Sequence, residues 1–313
     1  MTALISTGAW VPERVVSNAE AVAETGGPSE WITRKTGVVE RRWADAGTTT
    51  ADAAVAAGRQ AIERAGIQPE QLGLVVLATS TPDRSQPPTA TAVQAALGAT
   101  GAAALDVNGV CTGFLFALAT ARGMLATGDA GRYALVIGAD IYSRILDRTD
   151  HRTVVLFGDG AGAAVIGPAR DSGRGSILAT QLRSHGHLGH LIHREHGDAF
   201  RMDGGGVRDF VVSEVPLAVK GFLADQGVDG RQVRHLVAHQ ANGVMLDALV
   251  PSLELAEDVT VHRTIDRYGN TASASVPITL DHALRQDAIA DGELVLLLAF
   301  GGGMATGAAL MRR

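Results

Sequence analysis

Short apolar runs alternate with helical patterns along the whole chain, and this alternation constrains the fold more than any other feature of the sequence. Residues 74–78, 133–138 and 294–299 are almost wholly apolar, which is typical of strands buried on both faces. Between such runs, stretches such as 49–65 and 207–223 place apolar residues at helical spacing. We therefore predict a layered α/β fold. The predicted strands are 4–7, 74–78, 102–107, 133–138, 154–157, 162–166, 236–238 and 294–299, and the predicted helices are 49–65, 88–97, 207–223, 245–251 and 277–284.

The second half of the chain repeats the pattern of the first. The apolar run Ala134–Asp140 has a counterpart in Leu294–Phe300. A polar stretch that contains Gly and Pro, Pro168–Gly175, lies between the two halves. We predict an internal duplication with two related α/β halves, residues 1–170 and 171–313.

Composition excludes several classes of protein. The chain has 313 residues, of which 46% are hydrophobic and 19% charged, as in a globular protein with a large core. The net charge of −6 and the lack of a long basic run argue against binding to nucleic acid or to an anionic membrane. We see no signal peptide and no run of about 18 apolar residues, so we predict no membrane span and expect a cytoplasmic location.

Cys111 is the only cysteine, which excludes an internal disulfide and a cysteine-based zinc site. It follows a strand-like run that ends in Asn108-Gly109, and a small, apolar helical pattern begins at Phe114. Near a helix N-terminus, free backbone N–H groups and the helix dipole favour a thiolate over a thiol. The sequence therefore predicts a nucleophile. The alternative is a small buried hydrophobic residue.

Two other segments carry polar groups suited to chemistry in a tight pocket. His239 follows a short apolar strand, and Asn270 lies in a loop of small residues. Both side chains can donate hydrogen bonds to one developing oxyanion, and histidine can exchange a proton near neutral pH. Taken alone, His239 is more often a structural histidine, and Asn270 after Gly269 is by default a turn residue.

A histidine cluster suggests a metal site, which we weigh against a surface loop. Nitrogen ligands at this spacing invite a metal hypothesis. The neighbouring glycines and the lack of an acidic cluster favour a surface loop, and we predict no metal site. The clustered residues are His185, His187, His190, His193 and His196.

Taken together, these segments resemble the β-ketoacyl-acyl-carrier-protein synthase III family, whose members are condensing enzymes with the thiolase fold. The resemblance covers nearly the whole chain and depends on the order and spacing of six motifs. They are Trp31–Arg41, the Cys111 motif, Phe157–Ala163, His239–Asn242, Gly269–Thr271 and Phe300–Gly303. The resemblance implies two related α/β halves in a layered α-β-α-β-α arrangement and a homodimer.

The resemblance also implies the role of each central residue. Cys111 would take an acyl group from acyl-CoA as a thioester. His239 and Asn270 would support decarboxylation of a malonyl thioester, and the resulting carbanion would attack the acyl-Cys111 carbonyl. The backbone N–H groups of Cys111 and of a glycine such as Gly303 would form the oxyanion hole. No metal or organic cofactor is implied, and the CoA thioester is a substrate.

Some implied substrate contacts depart from the family pattern. Trp31 matches the residue that stacks on the CoA adenine. Its usual arginine partner aligns with His151, so we expect cation stacking from the adjacent Arg152. Gln86 stands where a bulky apolar residue often closes the acyl pocket across the dimer, which indicates either a larger or more polar primer or no consequence. The implied substrate-binding residues are Trp31, Arg152, Gln86, Phe157, Asn242 and Gly303.

The basic surface that docks an acidic carrier protein in the family is reduced here. Asn242 is followed by Gly-Val-Met where the family commonly has an arginine, Arg208 and Asp209 stand where a lysine is common, and Pro251-Ser252 replaces a basic pair. A weaker basic patch lowers electrostatic steering and affinity. These departures leave open an atypical carrier or a CoA thioester as the partner.

We therefore expect decarboxylative Claisen condensation of an acyl-CoA primer with malonyl-acyl carrier protein or malonyl-CoA, which starts fatty-acid or polyketide synthesis. One alternative keeps the fold but changes the reaction, namely transfer of the Cys111-bound acyl group to an alcohol or amine. Another is a catalytically silent thiolase-fold partner. Retention of His239 and Asn270 argues against both.

Overall fold

The computed structural model describes residues 2–128, 131–169 and 173–313. The strands of these residues are β1 Thr2–Trp10, β2 Val15–Ser17, β3 Glu40–Arg42, β4 Leu72–Ala78, β5 Ala103–Val107, β6 Tyr133–Asp140, β7 Gly160–Pro168, β8 Ser176–Ser184, β9 Ile192–His193, β10 Arg201–Met202, β11 Val233–Ala238, β12 Thr260–Val261, β13 Leu294–Gly301 and β14 Ala305–Arg312. The α-helices are α1 Asn18–Ala21, α2 Glu30–Thr36, α3 Thr50–Ala65, α4 Thr89–Leu97, α5 Gly113–Thr127, α6 Gly204–Asp225, α7 Gly243–Leu249, α8 Ile265–Tyr268 and α9 Ser275–Arg285.

Within these ranges, ten strands join into one mixed sheet in the order β12-β11-β13-β14-β8-β1-β7-β6-β4-β5. β4 runs parallel to β5 and β6, and β11 runs parallel to β12 and β13. The two five-stranded halves have the same order when each is counted from its own edge, and they meet where Ala3 of β1 pairs with Ser176 of β8. β6 and β13 occupy matching positions, in agreement with the predicted duplication. The predicted boundary falls on residues 170–172, outside the described residues, and stays a prediction.

Helices form three layers around the two sheet halves. α5 and α9 lie between them, in one core with β4 and β6 on one side and β11 and β13 on the other. α3 and α4 cover the outer face of the first half, and α6 and α7 cover that of the second. This is the predicted α-β-α-β-α order. Because parallel strands end at the same edge of a sheet, the loops after β4, β5 and β11 are available to form one site.

Helix α3 agrees best with its predicted range, and the residues that cap its two ends explain why. α3 begins after Thr49, whose side chain accepts from Asp52 N–H while the Asp52 carboxylate accepts from Thr49 N–H. It ends at Gly66, which adopts a left-handed φ of 68°. The predicted range 49–65 therefore differs from α3 only by its capping residue.

The predicted strand 154–157 is wrong. Val154 and Val155 lie in a series of turns, and only Phe157 makes an isolated bridge, to Asn270. The apolar side chains of this segment pack into a cluster that includes Tyr142 and Phe200 instead of joining the sheet. A short apolar run indicates burial, and burial alone does not distinguish a strand from a buried turn.

Helix α5 and the turn before it form an unusually apolar segment. Val110–Thr127 is long and apolar enough to cross a membrane, and no other helix of the described ranges passes the same test. Phe114, Leu115 and Leu118 of this segment are almost fully buried between the sheet halves. Its hydropathy therefore reflects a position in the centre of the protein core.

Candidate active site

Cys111 lies in a single helical turn, Val110–Thr112, between β5 and α5. Val110 has a positive φ of 47°, which is a strained conformation for a branched residue. Cys111 is only 6% exposed and packs closely on Gly301, where an added Cβ would lie 3.3 Å from the cysteine Sγ. The same added Cβ would lie 2.6 Å from the Cys111 Cβ, so a side chain at position 301 would displace the whole cysteine, which explains why the site requires glycine there.

The pKa of Cys111 contradicts the expectation drawn from its position at a helix end. Burial raises the pKa of the Cys111 thiol to about 12, and the negative charge of Asp140 adds to this effect. The backbone N–H groups of Cys111 and Gly302 oppose the shift without cancelling it. The resting protein therefore holds a thiol, and the helix end alone does not supply a thiolate.

Alkylation of Cys111 tests this pKa directly. Because only the thiolate reacts, the rate of modification by iodoacetamide should rise about tenfold per pH unit between about pH 6 and pH 9, without a plateau. Intact mass spectrometry gives the rate, and Cys111→Ala should remain unmodified. A plateau near neutral pH would show that the helix end dominates over burial.

His239 follows the carboxyl end of β11 and faces the same region. Its backbone N–H donates to Leu298 O at 2.7 Å, and its ring packs edge-on against Phe300, 5.6 Å between ring centroids. Burial lowers the pKa of His239 to about 3. The imidazole is therefore neutral at physiological pH, with one ring nitrogen protonated and the other a lone-pair acceptor. Its Nδ1 lies 2.6 Å from Ser275 Oγ.

Hydrogen bonds of both its backbone and its side chain hold Asn270 in place. Its N–H donates to Leu156 O at 2.8 Å, and its C=O accepts from Gly158 N–H at 3.0 Å. Its Oδ1 accepts from Ala272 N–H at 2.9 Å. In the described part of the chain the side-chain NH₂ has no acceptor, so its two N–H groups are available to a ligand.

The fold brings these three segments together. The turn that contains Cys111 packs against Ala272–Ala274, which directly follows the Asn270 loop, and against the end of β13 next to Phe300. Cys111, Phe157 and Ala272 belong to one buried cluster. The Cys111 turn and the segment after Asn270 therefore meet at the end of β13, and His239 reaches the same region through its contact with Phe300.

The geometry corrects the predicted oxyanion hole. The glycine N–H that reaches the Cys111 sulfur is that of Gly302. Gly303 instead forms the turn, with a left-handed φ of 72°, and its carbonyl accepts from His185 N–H at 3.3 Å. The N–H groups of Cys111 and Gly302 are therefore the donors that an oxyanion on a Cys111 thioester would meet.

Asp140, at the end of β6, is the central buried residue that sequence reasoning missed. It is fully buried, and its Oδ1 accepts from Ser80 N–H at 2.8 Å and from Thr81 Oγ1 at 3.1 Å. Its Oδ2 accepts from Ser273 N–H at 3.0 Å and from Ser273 Oγ at 2.6 Å. Burial raises the pKa of Asp140, and these hydrogen bonds oppose the rise. The carboxylate joins the loop after β4 to the segment that follows Asn270. The sequence signal that could have indicated this role is the position of Asp140, a carboxylate at the end of an otherwise apolar run.

Loss of the Asp140 charge should destabilise the protein. Asp140→Asn places an NH₂ group opposite donors, and we expect the free energy of unfolding to fall by about 3 kcal/mol, since a buried donor left unpaired costs about that much. Urea denaturation measures the change. Asp209→Asn, on the exposed face of α6, is the matched control and should shift the free energy by no more than about 0.5 kcal/mol. Equal effects of the two substitutions would contradict the assigned role of Asp140.

A cavity of about 830 Å³ is lined by three of the predicted substrate-binding residues, namely Trp31, Arg152 and Asn242. Lys35 and Asp203 also line it. Asn242 caps α7, because its Oδ1 accepts from Met245 N–H at 3.0 Å. The cavity is large enough for a nucleotide-sized group, and two basic side chains, Lys35 and Arg152, lie in its lining.

Trp31 forms one aromatic contact with another described residue. The partner of Trp31 is His151, whose ring lies edge-on at 6.4 Å between centroids. Within residues 2–128, 131–169 and 173–313, Arg152 makes no cation–π contact with Trp31. His151 and Arg152 both line the cavity with Trp31, and cation stacking by Arg152 on a bound adenine stays a prediction.

Gln86 and Phe157 lie apart from this cavity. Gln86 is exposed and precedes a cis peptide bond to Pro87. Phe157 is buried and stacks on Tyr142, 4.5 Å between centroids. Tyr142 also lines a second cavity of about 580 Å³ that reaches Val110, next to Cys111.

Part of the histidine cluster borders this second cavity, through His193 and His196. Among the described residues, no group of three or more histidine, cysteine or carboxylate side chains is placed to hold a metal ion. The glycine-containing turn that begins after His185 packs instead against the Gly302–Met304 turn.

The fold and this site together are those of a thiolase-fold condensing enzyme. The fold supplies two related α/β halves, and the site holds a buried cysteine with two backbone donors, a neutral histidine and a fixed asparagine amide. The model of the 3-oxoacyl-[acyl-carrier-protein (ACP)] synthase III family matches residues 105–186, and the model of its C-terminal part matches residues 223–313. The chain belongs to this family, as its resemblance predicted.

Individual relatives agree with this assignment. The chain is 52% identical to the acetoacetyl CoA synthase NphT7 of Streptomyces sp. (strain CL190), over 98% of this chain and 97% of that protein. It is 44% identical to a β-ketoacyl-acyl-carrier-protein synthase III of Rhizorhabdus wittichii, over 99% and 98% of the two chains. Among solved structures, the 3-oxoacyl-acyl-carrier-protein synthase III of Aquifex aeolicus superimposes with a TM-score of 0.94 at 37% identity, covering 100% of both chains. A priming β-ketosynthase of a polyketide pathway gives 0.93 at 33% identity, covering 100% of this chain and 96% of that one.

Proposed function

We propose that the protein condenses an acyl group, held as a thioester on Cys111, with malonyl-CoA and releases a 3-oxoacyl-CoA. The observation that supports this most is the packing of Cys111 against both the Asn270 loop and the Gly302 turn. In the first step the Cys111 sulfur attacks the carbonyl of acyl-CoA, the bond from carbonyl carbon to CoA sulfur breaks, and the thiol proton ends on CoA. The Cys111 and Gly302 N–H groups stabilise the tetrahedral oxyanion.

The second step uses the neutral donors of the site. The bond between the malonyl α-carbon and its carboxylate breaks, carbon dioxide leaves, and the electron pair forms an enolate. Hydrogen bonds from His239 and Asn270 stabilise the enolate oxygen. The enolate carbon then attacks the acyl-Cys111 carbonyl, and the cysteine thiolate leaves. A neutral His239 suits this step, because burial keeps it from holding a second proton.

Charge pairing near the cavity mouth supports malonyl-CoA over a carrier-bound extender. Arg263 donates to Asp247 of α7 at 2.5 Å and to Gly243 O, next to Asn242, at 3.5 Å. The pair with Asp247 neutralises a basic side chain on the surface beside Asn242. An acidic carrier protein would gain little steering there, whereas CoA phosphates meet Lys35 and Arg152 inside the cavity.

We propose acetyl-CoA as the primer. The ring of Tyr142 stacks on Phe157 and packs edge-on against Phe200, and it belongs to the same buried cluster as Cys111. Such a filled aromatic wall next to the sulfur favours a short acyl chain. The 52% identity with a protein named acetoacetyl CoA synthase supports the same product class.

Three further expectations are part of this proposal. The chemistry needs only a thiol, an imidazole, an amide and backbone N–H groups, so we propose that no metal or organic cofactor takes part. We also propose a homodimer as the active unit and the cytoplasm as its location, where CoA thioesters would be its substrates. Light scattering of the purified protein tests the oligomeric state.

One incubation series tests the reaction. The protein is treated with acetyl-, butyryl- and octanoyl-CoA, and the acylation of Cys111 is followed by intact mass. Malonyl-CoA or a malonyl-carrier protein is then added, and carbon dioxide and 3-oxoacyl products are measured. We expect acetylation and acetoacetyl-CoA. Acylation without carbon dioxide release would overturn condensation and favour acyl transfer to an alcohol or amine, and no acylation at all would indicate a silent partner.

A charge variant tests the choice of extender. Asp247→Ala should free Arg263 and raise kcat/KM for the malonyl-carrier protein several-fold at low salt, while kcat/KM for malonyl-CoA changes less than about twofold. Asp258→Ala is the matched control, because it frees Arg234 at the opposite end of β11 from His239. Equal effects of both variants would contradict the proposed role of the α7 surface.

A further inference from the structure

Ser275, the first residue of α9, contacts the His239 ring. Its Oγ is 2.6 Å from His239 Nδ1, and both side chains are about 1% exposed. The backbone N–H of Gln240 lies 3.4 Å from the same oxygen. Within the described ranges, Ser275 is the only side chain that forms a hydrogen bond with this imidazole.

The direction of the proton in this contact follows from the available donors. The Gln240 N–H can only donate, so it uses a lone pair of Ser275 Oγ. If His239 Nδ1–H also donated to Oγ, the hydroxyl proton would have no acceptor among the described residues. A buried donor without an acceptor costs about 1–3 kcal/mol. The favoured arrangement therefore has Ser275 O–H donating to Nδ1, with the imidazole proton on Nε2.

We propose that Ser275 is a positioning residue that holds neutral His239 in the Nε2–H tautomer and thereby makes it a hydrogen-bond donor. The inference rests on the proposed role of His239 in decarboxylation. In this tautomer Nε2 donates to the enolate oxygen together with the Asn270 amide. The same nitrogen has no lone pair, so it does not accept the Cys111 proton. The Ser275 hydroxyl therefore directs His239 toward decarboxylation and away from acylation.

The tautomer itself can be observed in the wild-type protein. Nitrogen-15 NMR of histidine-labelled protein distinguishes a protonated ring nitrogen from one with a lone pair, and comparison with His239→Asn identifies the signals of His239. We expect the protonated signal for Nε2 and the lone-pair signal for Nδ1 between about pH 6 and pH 9, because the pKa of this histidine is about 3. A proton on Nδ1 overturns the inference, and this result does not depend on the folding of any Ser275 variant.

Three serine variants test the functional consequence. Ser275→Ala should lower malonyl-CoA decarboxylation about tenfold, the equivalent of one hydrogen bond in the transition state, and leave the rate of Cys111 acylation within about twofold. Ser275→Thr keeps a hydroxyl and should restore decarboxylation. Ser176→Ala is the matched control, since this buried serine donates to Gly173 O at 2.6 Å and lies far from the imidazole along the sheet. It should change neither rate.

The outcomes separate this inference from the proposed function. Equal losses of acylation and decarboxylation in Ser275→Ala, with no rescue by threonine, would show a merely structural role and overturn the inference. Condensation by a wild-type protein whose His239 proton is on Nδ1 would do the same and leave the proposed function intact. Absence of condensation by the wild type with every primer would overturn the proposed function itself.

Discussion

Cys111→Ala is expected to lower condensation by at least about 10⁴-fold, the largest effect of any single substitution in this site. The variant has no sulfur to hold the acyl group, so the two-step reaction loses its covalent intermediate. Acylation by acetyl-CoA, followed by intact mass, should disappear completely. Malonyl-CoA decarboxylation should persist at a rate near that of the wild type, because the His239 and Asn270 donors do not depend on the cysteine.

The separation of the two activities is the informative part of this experiment. Alanine is smaller than cysteine and contacts the same Gly301 surface, so the fold should survive, and thermal unfolding checks this. If Cys111→Ala still gained the mass of an acetyl group, another residue would be the acyl carrier. If decarboxylation vanished together with acylation, the division of labour between cysteine and the donor pair would be wrong.

The sequence allowed the layered architecture to be predicted because its central strands are uniformly apolar. β4, β6 and β13 are buried along almost their whole length, as expected of strands covered on both faces. β8 and β14 were missed, since they contain Thr, Ser, Arg and Gly. β14 pairs with β13 and β8, whereas β8 pairs with β14 and β1, both of which are far from it in the chain. Pairing partners that are distant in sequence leave no local pattern.

The sequence indicated which residues to consider as catalytic, but it did not indicate the energetics of their site. The position of Cys111 at a helix end suggested a lowered pKa, whereas the structure shows that burial dominates. Burial depends on residues from both halves of the chain, including the Gly301 backbone and the Phe157 ring, and no local motif indicates it. The role of Asp140 could not be predicted for the same reason, because the donors that stabilise its carboxylate come from residues far apart in sequence.

Small differences within motifs were also beyond sequence reasoning. Three consecutive glycines follow Phe300, and only their backbone geometry distinguishes the packing role of Gly301, the donor Gly302 and the turn residue Gly303. Likewise, His151 and Arg152 are adjacent, and the turn before Phe157 determines which of them faces Trp31.

Substitution of Asn270 should separate the two half-reactions in the opposite sense to Cys111→Ala. Asn270→Asp keeps the oxygen that accepts from Ala272 N–H at 2.9 Å, so the loop should stay in place. It replaces the NH₂ donor by a carboxylate oxygen that repels the developing enolate. Loss of one such donor costs about 10²–10³-fold, and we expect decarboxylation and condensation to fall by at least that factor.

Acylation of Cys111 should remain within about threefold in Asn270→Asp, because its oxyanion is stabilised by the N–H groups of Cys111 and Gly302. Asn270→Ala is the companion variant: it removes the donor without adding charge, so its loss of decarboxylation should be the smaller of the two. The measurements are acetyl transfer by intact mass and carbon dioxide release from malonyl-CoA. A larger defect in alanine than in aspartate would mean that the bond to Ala272 matters more than the donor, and Asn270 would then shape the loop rather than stabilise the enolate.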